Sequence, residues 1–122
     1  MKTLNLALTV LLAAVFNLTV AAQVNDQSQV KKTSQKTETF EVWGKCDMCK
    51  TRIEKTVLSE GVTNASWDQE TQMLTVTYDP AKTSKEALSK KLASAGHDTE
   101  KYKAPDDIYA KLPGCCHYDR AK

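Results

Sequence analysis

The sequence predicts an α+β domain with the element order β-α-β-β-α-β over residues 38–103, followed by a short C-terminal helical extension. Three observations carry this expectation. Two segments, 48–59 and 83–95, show the apolar spacing of amphipathic helices. Others alternate apolar and polar residues or run rich in β-branched ones, as half-buried strands do. The breakers between them leave connections of only a few residues, the lengths found inside one compact domain.

Taken in order, Thr39-Phe40-Glu41-Val42-Trp43 alternates and places Phe40 and Val42 inward, and Gly44 breaks the strand. Met48–Ser59 lacks Gly and Pro and sets Cys49, Ile53 and Val57 on one helical face. Lys50, Arg52, Glu54 and Lys55 are left to solvent. Glu60-Gly61 ends the helix, glycine being suited to a left-handed cap. Val62–Asp68 is a second strand with Ala65 and Trp67 on one face. After the turn at 69–72, the β-branched run Met73–Tyr78 points Leu74, Val76 and Tyr78 to one side. Asp79-Pro80 stops it. Thr83 or Ser84 can cap the next helix, and Thr83-Ser84-Lys85-Glu86 fits a capping box led by Thr83. The helix it opens buries Leu88, Leu92 and Ala95 and ends at Gly96. His97–Tyr102 is a short, polar fourth strand. A four-stranded antiparallel sheet with both helices on one face, the ferredoxin-like sandwich, accommodates this order. Pro105 then opens a short helix through Leu112, with Ile108, Tyr109 and Leu112 as its apolar edge.

The first 22 of the 122 residues stand apart from this domain. Lys2 precedes an uncharged, mostly apolar stretch from Leu4 to Val20, and Val20-Ala21-Ala22 supplies the small residues of a signal-peptidase site. Asn5, Thr9, Asn17 and Thr19 dilute the run, and no basic stop-transfer cluster follows. The expectation is export with cleavage near Ala22: periplasmic in a Gram-negative cell, extracellular otherwise. Residues 23–37 are polar and cannot bury enough apolar surface to offset the entropy of ordering them, so they are expected to be a disordered linker. The formal net charge is +2, and +1 without the leader, whose one charged residue is Lys2. That balance argues against nucleic acid as a partner, since such binding rests on a dominant basic surface.

The chemistry concentrates in four cysteines, Cys46, Cys49, Cys115 and Cys116. Cys46-Asp47-Met48-Cys49 sits where the first strand gives way to the first helix. Two thiolates at this spacing converge on one ion, and the helix N-terminus, with Lys45 beside it, favours the thiolate. Two soft sulfurs suit Cu(I), with Hg(II) and Zn(II) as competitors. The same spacing also serves a structural disulfide in an oxidising compartment, or a redox pair. Lys45, not the Trp that directly precedes the first Cys of thioredoxin, stands before Cys46.

On the Cys-x-x-Cys placed after the first strand, Val42–Val57 resembles the heavy-metal-associated domain family over about residues 38–103. That family includes copper chaperones, soluble domains of copper-pumping ATPases and periplasmic mercury-binding proteins. The resemblance implies a ferredoxin-like fold, an ion held by Cys46 and Cys49 in an exposed loop, and hand-over by stepwise thiolate exchange. Family members commonly read Gly-Met-Thr-Cys-x-x-Cys, whereas Gly44 stands here where a buried methionine anchors the loop, with Trp43 as one candidate to fill the space. The resemblance also puts His97 beside the metal loop, as a third ligand or a proton-sensitive neighbour.

Beyond the family domain, residues 104–122 form a cysteine-containing extension. The lengths of a strand and a short helix permit Cys115 and Cys116 to return within reach of Cys46 and Cys49, and equally permit a separate weak site or an exposed pair with no fixed role. Either can then join the metal site or form a disulfide with that pair; sequence does not choose among the pairings. The expected function is that of an exported Cu(I) carrier, not an enzyme. It would pass its ion to a metal-transporting membrane protein or another thiol-rich carrier, and a metal-bridged homodimer is permitted. Thiol–disulfide oxidoreduction, and Hg(II) or Zn(II) binding in detoxification, are the alternatives.

Overall fold

The computed structural model describes residues 34–59 and 61–122. The expected signal peptide, and the expected linker up to residue 33, lie outside the described residues. Strand β1 (Lys36–Glu41) leads into helix α1 (Asp47–Val57), then β2 (Val62–Trp67), β3 (Met73–Tyr78) and helix α2 (Lys85–Ser94). A five-residue helix α3 (Asp106–Ala110) and a 3-10 turn (Gly114–Cys116) complete the chain.

The strands form an antiparallel sheet in the order β1-β3-β2. Register sets Phe40 opposite Leu74 and Leu74 opposite Trp67, so one line of buried side chains crosses the whole sheet. Alternation continues to Val76 and Tyr78 on the same face. The helices cover that face with Ile53, Val57, Leu88 and Leu92, all in one core with the sheet residues. β1 begins at Lys36, two residues inside the segment expected to be linker. Pairing with β3 needs no apolar side chain there: Thr37 and Thr39 bond Thr77 and Thr75 across the strands, at 2.9 and 3.0 Å.

The expected fourth strand over 97–102 is reduced to a single antiparallel bridge, Val42 to Thr99, and the sheet has three strands among the described residues. Trp43 N–H donates to the Asp98 carbonyl at 2.9 Å, but the ladder goes no further. Thr99 turns its N–H to the Tyr102 carbonyl (2.8 Å), and its hydroxyl accepts from Tyr102 N–H (3.1 Å). Glu41 N–H, the next ladder donor, is taken by the Glu100 carboxylate at 2.9 Å. A local side-chain turn thus outcompetes strand pairing.

Further expectations change: Ala95, expected in the buried stripe of α2, is its half-buried C-cap while Ala93 is buried, and α3 stops at Ala110 instead of running through Leu112. Ser84, not Thr83, caps α2, its Oγ accepting from Ala87 N–H at 3.1 Å. Thr83 still belongs to the preceding turn, its N–H bonded to the Asp79 carbonyl at 3.1 Å. Lys50 and Glu54 do not simply face water. Glu54 Oε1 accepts Trp67 N–H at 2.9 Å, and Lys50 Nζ donates to the Trp67 carbonyl at 2.8 Å. Since β2 is an edge strand, these α1 side chains take up backbone groups that would otherwise stay unpaired.

Candidate metal centre

The loop from Trp43 to Cys46 connects β1 to α1, and its backbone is held from the β2–β3 turn. Gln69 Nε2 donates to the Lys45 carbonyl at 2.9 Å, and Gln72 Nε2 to the Gly44 carbonyl at 3.2 Å. From below it is supported by Trp67, whose indole N–H donates to the Val42 carbonyl at 2.9 Å. A Cβ at residue 44 would lie 2.8 Å from Trp67 Cζ2 and 3.2 Å from Cys49 Cβ. Trp67 therefore fills the space under the loop, and Gly44 is required because the indole is already there. Trp43, the candidate suggested by sequence, is only partly buried at the edge of the core.

Cys46 occupies the N-cap position of α1 and Cys49 its first turn, with Cys46 half-buried and Cys49 fully buried. Their sulfurs are 3.8 Å apart. Cys116, from the 3-10 turn, brings its own Sγ to 3.8 Å from that of Cys46. All three sulfurs lie within 4.8 Å of one another. Backbone N–H of Cys49 does most to bring the Cys46 thiol down to about 7; burial opposes it, and Met48 N–H and the neighbouring thiols assist. A substantial fraction of Cys46 is then thiolate at neutral pH, the form that binds metal. Cys116 behaves oppositely: burial, reinforced by Cys49 and Cys46, pushes its thiol well up.

The other candidates separate. Cys115 is exposed and points away, its Sγ 3.8 Å from the sulfur of Met48, which is itself 50% exposed. His97 is fully buried and is not a member of the sulfur cluster. Its Nδ1 lies 2.9 Å from the Trp43 carbonyl and, against a carbonyl, must carry the proton. Burial lowers its pKa despite that bond, with Arg52 acting in the same direction and Asp98 against it, so the ring is neutral. Its place is under the strand that enters the metal loop, stacked on Tyr118 at 5.7 Å.

The C-terminal extension is built into the domain by contacts that its sequence does not announce. Leu112 packs on Gly96, where φ is +104° and a Cβ would come within 2.9 Å of the leucine. Tyr118 is buried, donating to the Gly96 carbonyl (2.7 Å) and accepting Asp98 N–H (2.8 Å). Arg120 reaches both oxygens of the fully buried Asp98, at 2.6 and 3.0 Å. Ala104 N–H at 2.8 Å and Ala121 N–H at 3.2 Å also donate to that carboxylate.

A three-stranded sheet covered by two helices and presenting two thiols at the mouth of one of them agrees with the family comparison, in which residues 45–98 match the heavy-metal-associated domain. Oxidized MerP from Ralstonia metallidurans CH34 is similar over 55% of this chain and 96% of its own, at 35% identity and a TM-score of 0.52. The chain belongs to the heavy-metal-associated domain family. The CopZ metallochaperone is similar at 27% identity and a TM-score of 0.50, covering 52% of this chain and 98% of its own. The water-soluble region of the P-type ATPase CopA from Bacillus subtilis is similar at 35% identity and a TM-score of 0.52. That likeness covers 55% of this chain and 46% of the ATPase region. No curated protein matches the chain. The family match ends at Asp98, so the segment bearing Cys116 lies beyond it. Sequence reasoning missed Trp67 and the Asp98–Arg120 pair. Gly44 in place of a bulky residue was the available signal for Trp67; nothing in the sequence marked the ion pair.

Proposed function

We propose that this protein is an exported carrier of Cu(I), binding the ion through Cys46 and Cys49 and releasing it by ligand exchange. The observation that carries the reading is the pair of thiols 3.8 Å apart at the N-terminus of α1. One of them is half-buried and substantially ionised at neutral pH. Soft sulfur donors without a hard ligand favour Cu(I), and Hg(II) and Zn(II) compete for the same pair. Partial exposure of Cys46 lets an incoming thiol attack the bound ion. The receiving partner is a metal-transporting membrane protein or another thiol-rich carrier, supported by similarity to a metallochaperone and to a soluble region of a P-type ATPase. No turnover is required, so the protein is not an enzyme. The leader supports export.

A second reading has one observation in its favour. An ionisable, accessible Cys46 beside a buried Cys49 is also the arrangement of an attacking and a resolving thiol. One preparation separates the two. Protein expressed with its leader is recovered from the exported fraction, with its N-terminus expected near Gln23, and reduced anaerobically. It is then titrated with Cu(I) against a chromophoric chelator and assayed for disulfide reduction. One-to-one Cu(I) binding lost in Cys46→Ser/Cys49→Ser, with no disulfide-reductase activity, is the expected result. Failure to compete for Cu(I), together with activity abolished by Cys46→Ser, would replace the carrier with an oxidoreductase. A product retained in the cytoplasm with its leader intact would remove the export claim alone.

A further inference from the structure

Three features flank Cys116 and converge on one short segment of the domain. Before it, Leu112 packs on Gly96; after it, Tyr118 bonds Gly96 and Asp98, and Arg120 holds the Asp98 carboxylate. Between these anchors the 3-10 turn closes through Cys116 N–H to the Pro113 carbonyl at 2.8 Å. The turn lies directly against α1, and Cys116 is the residue of this segment that enters the core there. The neighbouring Cys115 faces outward. An anchored segment thus delivers one chosen sulfur of an adjacent pair to the two family cysteines.

The spacing of the three sulfurs has a coordination meaning. An ion bonded to thiolates at about 2.3 Å, the value for zinc–sulfur bonds, would set two sulfurs about 4.6 Å apart if linear. Three thiolates in a plane around it would set each pair about 4.0 Å apart, from the same bond length. Cys46 lies 3.8 Å from both Cys49 and Cys116. Little movement converts this triangle into a three-coordinate site, whereas a linear pair requires the Cys46 and Cys49 sulfurs to separate.

We propose that Cys116 is a third metal ligand, brought back by the C-terminal extension, and that the protein holds its soft ion between the sulfurs of Cys46, Cys49 and Cys116, the Cys116 thiol releasing its proton to solvent as its sulfur bonds the ion. This rests on the soft-metal reading above and adds to it a ligand from outside the family-matched segment. Cys115 and His97 take no part in the coordination.

The test is Cu K-edge X-ray absorption of the exported, reduced wild-type protein loaded with one equivalent of Cu(I) at concentrations where light scattering shows a monomer. Three sulfurs are expected in the wild type and in Cys115→Ser, and two in Cys116→Ser. Competitive titration is expected to show at least about a tenfold weaker affinity in Cys116→Ser, since even loss of an outer-shell partner costs that much. Two sulfurs in the monomeric wild type would overturn the proposal and reduce Cys116 to a packing residue, while leaving the carrier intact. That measurement needs no variant, so a misfolded Cys116→Ser does not decide the matter. A wild type that retains no Cu(I) would sink the carrier reading itself, and the third ligand with it.

Discussion

Gly44 and Trp67 are predicted to be energetically coupled, because one occupies the space that a side chain on the other would need. In Gly44→Ala the new methyl would approach two indole carbons at 2.8 and 2.9 Å, against the 3.5–4.0 Å optimum for carbon pairs. Trp67 cannot easily retreat. Its backbone N–H and carbonyl are held by Glu54 and Lys50, and its indole N–H by the Val42 carbonyl. Overpacking of this kind costs about 1–3 kcal/mol. The lower chain entropy of alanine in the unfolded state returns about 0.4–1 kcal/mol wherever the backbone tolerates it. A net loss of about 1–2 kcal/mol is expected. Trp67→Ala alone should cost about 3–5 kcal/mol by opening a cavity. Gly44→Met, strongly destabilising in the wild type, should then be close to neutral or favourable in the Trp67→Ala background, where it refills that space. Urea unfolding of the wild type, Gly44→Ala, Gly44→Met, Trp67→Ala and the Gly44→Met/Trp67→Ala double variant measures this as shifts in midpoint at constant slope. Energies that add to within about 0.5 kcal/mol would refute the packing argument, since distant, independent sites behave that way.

Two other outcomes follow from the tail and the thiols. Removing Arg120 leaves the buried Asp98 carboxylate without its cation, and Arg120→Ala should cost about 3 kcal/mol at neutral pH, the lower end for a broken buried pair because Ala104 N–H remains. Burial by itself would raise the Asp98 pKa, but the hydrogen bond and charge of Arg120, with backbone N–H groups, hold it below the ordinary value. A lowered carboxylate pKa contributes stability above the unfolded value of about 3.9 and loses it as pH falls toward the folded one. The gap between wild type and Arg120→Ala in urea midpoint should therefore narrow below about pH 4, and a gap independent of pH would exclude the ion pair as its source. For Cys46, alkylation followed residue by residue by mass spectrometry in the reduced metal-free Cys115→Ser protein should rise with a midpoint near pH 7. A midpoint at the free-thiol value of about 8.5 would show that the end of α1 does not stabilise the thiolate.

Much of the architecture follows from local rules. The four-residue spacing of Cys49, Ile53 and Val57 and the alternation of Leu74, Val76 and Tyr78 each specify an element and the face it buries, and all six are buried. The placement of Cys46 and Cys49 at a strand-to-helix junction is local too, which is why the primary thiol pair was legible. What failed was decided by competition between nearby groups. Thr99 and Glu100 divert backbone donors from a fourth strand, and Ser84 displaces Thr83 as the cap because Thr83 stays bonded to the Asp79 carbonyl.

By itself, then, the sequence determined the order of the first three strands and the two main helices, most of the residues they bury and the pair of sulfurs at the loop, because those depend on residues a few positions apart. Tertiary structure decided which of Cys115 and Cys116 turns inward, that His97 packs beneath the loop entry outside the sulfur cluster, and that Trp67 replaces a bulky side chain at position 44. These choices depend on groups far apart along the chain: Cys46 and Cys116 are separated by 70 positions, and Asp98 and Arg120 by 22. No periodicity links such residues. Their meeting depends on the shared burial of Leu112, Tyr118 and Asp98 against one segment, a balance of packing and desolvation that exists only once the chain has closed on itself.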